Sequence, residues 1–276
     1  RQTNLETIDN IISQSRVIHG AELVTTVVDD STDDYVSLGV VAEGARIPIR
    51  SVKTSEKAVK FYKFGGGYEF TYEFERRVSL DVITPYAARM QREAETGEVA
   101  VATALIVNGD GVNAAAPVVN ASALAAAMPQ PPATVAGRVN WEVFLAWLLG
   151  QAAKGVPVDT VLGNQAMYLE WLRMFGTPTL SSGLSQGDAL RAAGVDVALR
   201  NPGFDFNVDF AYSSAAPVNK LIGFNKNETV EELVENGSDI EESQRVMDNQ
   251  KIRYLRTENK GYRLVFGDTR SILNLD

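Results

Sequence analysis

Apolar positions change their spacing several times along this chain, and each change marks an element. Leu5, Ile8, Ile11 and Ile12 recur at helical spacing near the start. Leu23, Val24, Val27 and Val28 follow as a largely β-branched cluster with no evident partner strand. Residues 43–77 predict a long two-stranded excursion, with Pro48 and Arg50 in the outgoing limb. Its returning limb is 59–74, VKFYKFGGGYEFTYEF, rich in aromatic and β-branched residues. The strongest helical stripe runs over 80–107 through Ala87, Met90, Ala94, Val101 and Leu105. Ser79 or Asp81 is placed to cap it, Pro85 falls early enough to be tolerated, and Arg89 and Glu93 pair at i,i+4. Gly97 weakens its interior by about 1 kcal/mol relative to alanine. At 1.5 Å per residue such a helix is about 40 Å long. It stops at the turn sequence Asn108-Gly109-Asp110-Gly111.

Residues 112–139 are rich in alanine and proline, with Pro117, Pro129, Pro131 and Pro132, and predict an irregular connection. An α/β region follows. Asn140 caps a helix that carries Trp141, Phe144, Leu145, Leu148 and Ala152 on one face and is stopped by Gly155. A short strand is expected at 158–162, then a helix capped by Asn164 with Met167, Tyr168, Trp171 and Leu172. Residues 176–188 read as a loop. Strands are expected at 195–199, 206–212, 218–224 and 230–234, and a hairpin at 251–257 and 261–266 around Asn259-Lys260-Gly261.

Composition narrows the chemistry. The chain has 276 residues, 45% of them hydrophobic and 22% charged, enough for one large domain or two intimate subdomains. No apolar run approaches the roughly 20 residues that span a bilayer, and no signal peptide is visible, so no membrane partner is expected. The absence of cysteine excludes disulfides and thiolate chemistry. The single histidine, His19, cannot build a His-rich zinc site and lies far from any nucleophile signature. No cofactor and no metal is therefore expected. A net charge of −9 argues against sequence-reading nucleic-acid binding, which depends on neutralising phosphates, while an acidic wall would let packed DNA slide.

Three motifs carry a bland reading beside a chemical one. Asp29, Asp30, Asp33 and Asp34 lack the spacing and glycine of an EF-hand loop and read as a solvated turn. Gly65, Gly66 and Gly67 are followed by strand-like residues, so they predict a bulge or a close backbone approach and not a phosphate cradle. Glu231 and Glu235 would stand at i,i+4 on a helix, the spacing for a carboxylate hydrolase, but they read better as a solvated or interface face.

Two features point to assembly. An isolated two-stranded hairpin is marginal in water, and an extended arm costs about 1–2 kcal/mol per residue to order, so both call for neighbours. The charges are also segregated. Residues 46–63 carry Arg46, Arg50, Lys53, Lys57, Lys60 and Lys63 against the single Glu56, a net +5. Residues 228–242 carry seven acidic residues and no basic one, among them Glu231, Glu232 and Glu235. These nine residues are the candidate inter-subunit contacts, because opposed patches steer and register association.

The order of elements resembles the tailed-phage major capsid protein family, the Hong Kong ninety-seven fold. The residues that carry the resemblance are Glu43-Gly44-Ala45-Arg46-Ile47-Pro48, Tyr72-Glu73-Phe74-Glu75-Arg76-Arg77, the spine helix closing on Leu105-Ile106-Val107-Asn108-Gly109-Asp110-Gly111, Leu221-Ile222-Gly223-Phe224, and the closing strands over 251–266. The resemblance implies an α+β fold with an N-terminal arm (1–42), an extended loop (43–77), a peripheral domain with the spine helix (78–140 and 223–276) and an axial α/β domain (141–222) whose 176–188 loop crowds the capsomer centre. It implies a structural subunit, not an enzyme. Hexamers and pentamers of it would form an icosahedral virion shell around double-stranded DNA, assembled in the host cytoplasm. The implied partners are a portal, a scaffold or maturation protease, which would leave Arg1 as a processed end, and a decoration protein. An encapsulin-like shell around cargo protein is the alternative on the same fold. Some members cross-link a loop lysine to a peripheral-domain asparagine with help from a buried glutamate. Lys53, Lys57, Lys60 or Lys63 would be the donor here and Asn249 the acceptor. Glu258 is out of register for the glutamate, so no cross-link is expected.

Overall fold

The computed structural model describes residues 6–19, 24–29, 53–77, 83–111, 113–175, 208–248 and 250–276. A 3-10 turn at Ile8–Asn10 leads into strands β1 (Gln14–Ile18) and β2 (Val24–Asp29). Then come β3 (Lys53–Ala58), β4 (Phe61–Thr71), a short helix α1 (Tyr72–Arg77) and the spine helix α2 (Ile83–Asn108). The middle of the chain supplies β5 (Val118–Asn120), α3 (Ala121–Ala126), α4 (Trp141–Ala152), β6 (Thr160–Gly163) and α5 (Gln165–Phe175). The last part supplies β7 (Asp209–Tyr212), β8 (Lys220–Phe224), α6 (Lys226–Thr229), β9 (Val230–Glu235), β10 (Ile240–Val246), β11 (Lys251–Leu264) and β12 (Arg270–Asn274).

These strands make two five-stranded sheets and one ribbon. The first sheet runs β1-β9-β11-β10, with β4 also paired to β11. The second runs β5-β12-β8-β6-β7 and so draws strands from three of the five expected segments. Strand alternation divides the second sheet between two cores. Leu162, Ile222 and Ile272 join Val99, Ala102 and Ile106 of α2 and Leu264 of the first sheet. Their neighbours Val161, Leu221 and Leu273 point the other way and pack with Phe144, Trp147, Met167 and Trp171 of α4 and α5. The spine helix is thus gripped by both sheets. Gly223 lies directly beneath Trp147, where a Cβ would come within 2.5 Å of the ring. Trp147 donates to Ser271 Oγ at 3.0 Å, which binds α4 to β12.

The expected caps are in place. Asn140 Oδ1 accepts from Glu142 N at 2.9 Å, and Asn164 Oδ1 accepts from Met167 N at 3.1 Å. The C-terminal end of α2 is closed by a side chain 165 residues distant. Arg270, 1% exposed, donates to the carbonyls of Leu105, Ile106, Ala114 and Gly267. Burial pulls its guanidinium below the usual value, and the charge of Asp110 offsets part of that.

Several expectations are corrected. The stretch 6–18 is not a free arm: Ile8, Ile11 and Ile12 are buried against α2, and β1 pairs in parallel with β9. The β-branched cluster at 24–28 does have a partner, because β2 pairs antiparallel with β3. The extended ribbon is therefore β2–β3. The glycine-containing limb pairs with β11, and residues 53–58 of the outgoing limb pair with β2. Its register through Gly65, Gly66 and Gly67 is unbroken, so these glycines are a close approach and not a bulge. A Cβ on Gly67 would sit 2.4 Å from Leu255 Cδ2. Asn259-Lys260-Gly261 is no turn either. It lies inside the 14-residue β11, where a Cβ on Gly261 would come within 3.3 Å of the Phe61 ring. The hairpin partner of β11 is β10, and the turn between them holds Gln250 at φ +50. Residues 112–139 are not wholly irregular, since Ala-rich α3 forms there and β5 pairs with β12. The expected 195–199 strand, the 176–188 loop, Ser79 and Asp81 lie outside the described residues.

Candidate subunit-contact surfaces

The acidic run at 228–242 does not present one face. Residues 230–235 are a strand, so Glu231 and Glu232 point to opposite sides. This removes the helical i,i+4 pairing of Glu231 with Glu235. Glu231 is 1% exposed and is held by Arg263 at 2.5 Å, Arg16 at 3.4 Å and Gln14 at 3.2 Å. Glu232 is 5% exposed and takes a hydrogen bond from the Tyr262 hydroxyl at 3.3 Å. Carboxylates so engaged inside their own subunit offer no charge to a neighbour, which corrects their expected role as contacts. Glu235 is exposed and accepts from Asn259 Nδ2 at 2.7 Å. His19 is exposed and meets Asn236 at 2.9 Å.

On the other side of β9 a charged cluster joins the spine helix to the first sheet. Lys260 lies 3.0 Å from Glu98, 3.5 Å from Glu232 and 3.3 Å from Glu258. Three carboxylates share one ammonium at a largely buried point. Burial pushes Glu98 above the usual carboxylate value; the bond from Lys260 opposes this, and the charges of Glu232 and Glu258 add to it. Burial alone would lower Lys260, but its bond to Glu98 and the three negative charges leave it raised. The lysine is held as an ammonium, the unreactive form. Burial and the neighbouring carboxylates raise the Tyr262 phenol as well. The sequence held a signal for this site: Glu98 falls on the apolar stripe that runs from Ala94 to Val101 and Leu105.

A raised carboxyl gives the folded state the tighter hold on a proton. Its stabilising contribution is complete below the unfolded carboxylate value and is lost as pH rises through the folded one. Glu98→Gln is therefore expected to flatten the decline in stability of the unassembled chain over the pH range above the usual carboxylate value. Urea unfolding midpoints measured across that range test this, and an unchanged slope in the variant would count against the cluster.

Beside the cluster, between α2 and the β4–β11–β10 face, lies a cleft of about 830 Å³. Its walls are aromatic, with Phe64 and the stacked pair Tyr68 and Tyr254, whose ring centroids are 5.2 Å apart. Five acidic residues line it, Glu95, Glu98, Glu241, Glu242 and Glu258, against Arg256 and Lys260, a net charge of −3. Of the expected basic contacts, Lys60 is exposed with its ammonium 4.9 Å from the Tyr62 ring, and Lys63 is exposed on β4. Lys53 and Lys57 lie on β3. Arg46, Arg50, the acceptor candidate Asn249 and the acidic residues 30, 33 and 34 lie outside the described residues. Among the described residues no cluster of three or more His, Cys, Asp or Glu side chains is arranged to hold a metal, and no helix is long and apolar enough to cross a membrane.

A family model for phage capsid proteins matches residues 54–267, well over half of the chain and including the spine helix, most of both cores and the charged cluster. The chain belongs to the phage capsid protein family. Solved capsid structures share its architecture at low identity. The capsid of a native GTA particle is 10% identical, with a TM-score of 0.61 over 99% of this chain and 90% of that one. The capsid of cyanophage P-SCSP1u is 12% identical, with a TM-score of 0.57 over 97% and 88%. A virus-like particle from Pyrococcus furiosus is also 12% identical, with a TM-score of 0.52 over 97% and 91%. Among curated proteins none matches the sequence. This phage capsid protein has the α+β Hong Kong ninety-seven-type fold that its order of elements resembles.

Proposed function

We propose that this capsid protein is a structural subunit whose copies, as hexamers and pentamers, close an icosahedral shell around double-stranded DNA. The family match over residues 54–267 carries the reading. The β2–β3 ribbon supports it, because an isolated two-stranded ribbon is marginal in water and needs a surface to lie on. The subunit works by tiling and not by catalysis. Its place is the virion, after assembly in the host cytoplasm, and a portal, a scaffold or maturation protease and a decoration protein are its proposed partners. The spine helix and first sheet correspond to a peripheral domain, and α4, α5, β6 and β7 to an axial one.

Purified protein imaged by negative-stain electron microscopy is expected to show closed shells. A monodisperse monomer by light scattering, for the unprocessed precursor as well, would end this reading. The likeness to the Pyrococcus furiosus virus-like particle keeps a second reading in view, a compartment around cargo protein. Extraction of purified particles separates the two, since genome-length DNA marks a virion and enclosed protein without DNA marks a compartment.

A further inference from the structure

We propose that Asn236 is a self-processing site: it deamidates through attack by the Gly237 amide, with His19, the only histidine of the chain, as the catalytic residue at the departing nitrogen. The chemistry belongs to the folded subunit, whether or not it is assembled.

Asparagine before glycine is chemically fragile, because a residue without Cβ lets its backbone nitrogen reach the asparagine carbonyl. The chain has two such dipeptides, Asn108-Gly109 and Asn236-Gly237. The fold treats them differently. Asn108 is the last residue of α2, and Gly109 N donates to Leu105 O at 2.9 Å. The carbonyls of Asn113 and Ala114 crowd Gly109, so attack there would require the end of the spine helix to open. Asn236 and Gly237 are instead exposed in the turn that leaves β9. A Cβ on Gly237 would meet nothing within 4 Å, and among the described residues Gly237 N donates to no acceptor.

The sheet supplies the catalyst. β1 runs parallel to β9, and its last pair is Ile18 with Glu235. One step further the same register sets His19 beside Asn236, and Asn236 N donates to Ile18 O at 2.9 Å. His19 Nδ1 then lies 2.9 Å from Asn236 Nδ2, the nitrogen that must leave. Gly237 N releases its proton to water and bonds to Asn236 Cγ, which becomes tetrahedral. The amide nitrogen now carries a lone pair, and the imidazolium delivers a proton to it from Nδ1. The Cγ–Nδ2 bond breaks, ammonia departs and a succinimide ring remains. His19 regains its proton from solvent. Water opens the succinimide at either carbonyl, leaving aspartate or its β-linked isomer. The sum is amide plus water giving acid plus ammonia, with no oxidant or reductant. The new carboxylate stands opposite His19, so a neutral hydrogen bond at the end of the β1–β9 ladder becomes a charge-assisted one. Each converted subunit is one charge more negative than −9.

The purified full-length chain is stored at neutral pH and digested with trypsin at intervals. Mass spectrometry of the peptide 227–245 reads a gain of about 1 Da, and fragmentation assigns it to Asn236. Conversion of Asn236 is expected to be at least about tenfold faster than that of Asn108 in the same folded molecules. His19→Gln is expected to slow it about fivefold or more, and that difference is expected to vanish in urea. Imidazole added to the His19→Ala chain is expected to restore part of the rate, which a purely structural histidine would not allow. Gly237→Ala, with circular dichroism to verify the fold, is expected to suppress conversion about tenfold. No conversion at Asn236, or equal rates at the two Asn-Gly sites of the folded chain, would overturn the proposal. A rate that His19→Gln leaves unchanged would overturn it too.

Discussion

Arg270→Met is expected to lower the unfolding free energy of the isolated subunit by about 3–5 kcal/mol. The arginine is 1% exposed and serves four carbonyls at the point where α2 ends and the chain turns back. Leu105 O keeps a second donor, Gly109 N at 2.9 Å. The carbonyls of Ile106, Ala114 and Gly267 lose the arginine, and each buried acceptor left without a donor costs roughly 1–3 kcal/mol. Relief from burying a guanidinium returns part of this, since desolvation already works against the charged form. Arg270→Lys keeps a charge but not the planar fork, so an intermediate loss is expected. Urea unfolding followed by circular dichroism decides the matter. A loss below about 1 kcal/mol in the methionine variant would mean that the end of the spine helix is held by other means.

Ile11→Ala is expected to cost about 2–5 kcal/mol in the same unassembled subunit. Ile11 has no exposed surface and packs in the core that holds Val99, Ala102 and Ile106 of the spine helix. Glu6 fastens the same segment by accepting from Ser214 N at 2.7 Å and Ser214 Oγ at 2.9 Å. An arm ordered only by neighbouring subunits would show no such cost before assembly. A change under about 0.5 kcal/mol, the range of ordinary surface substitutions, would return the segment to that role.

Elements stabilised from within were legible in the sequence. The spine helix was visible because its apolar stripe and its Asn108-Gly109 stop are both local. Helices α4 and α5 carried their own caps in Asn140 and Asn164. Pairing was not legible, because the partners lie far apart along the chain. Val27 meets Ser55, Phe70 meets Ile252, and Ser15 meets Glu232. The glycine at 261 looked like a turn signal because a turn and a crowded strand ask for the same thing, a residue without Cβ. The acidic face at 228–242 failed for a related reason. A run of carboxylates reads as solvated unless its cations are in view, and those of Glu231 come from Arg16 and Arg263. The candidate site was half legible: the basic stretch over 46–63 was plain from charge alone, while the cleft exists only once α2 lies across β4, β10 and β11.

The second sheet also sets a schedule for biosynthesis. Its inner strand β12 lies between β5 and β8, yet the three occupy residues 118–120, 270–274 and 220–224. A nascent chain that has exposed β5, β6 and β8 still has no strand to place between the first and the last. At roughly 5–20 residues per second, the ribosome needs several seconds more to deliver it. During that interval Leu221 and Ile222 of β8 have an open edge beside them, a template for faulty pairing with another growing chain. Polysomes crowded with such chains favour spacing between ribosomes and chaperone cover over these residues. The second sheet, and with it the two cores it divides, therefore closes only after residues 270–274 have cleared the exit tunnel.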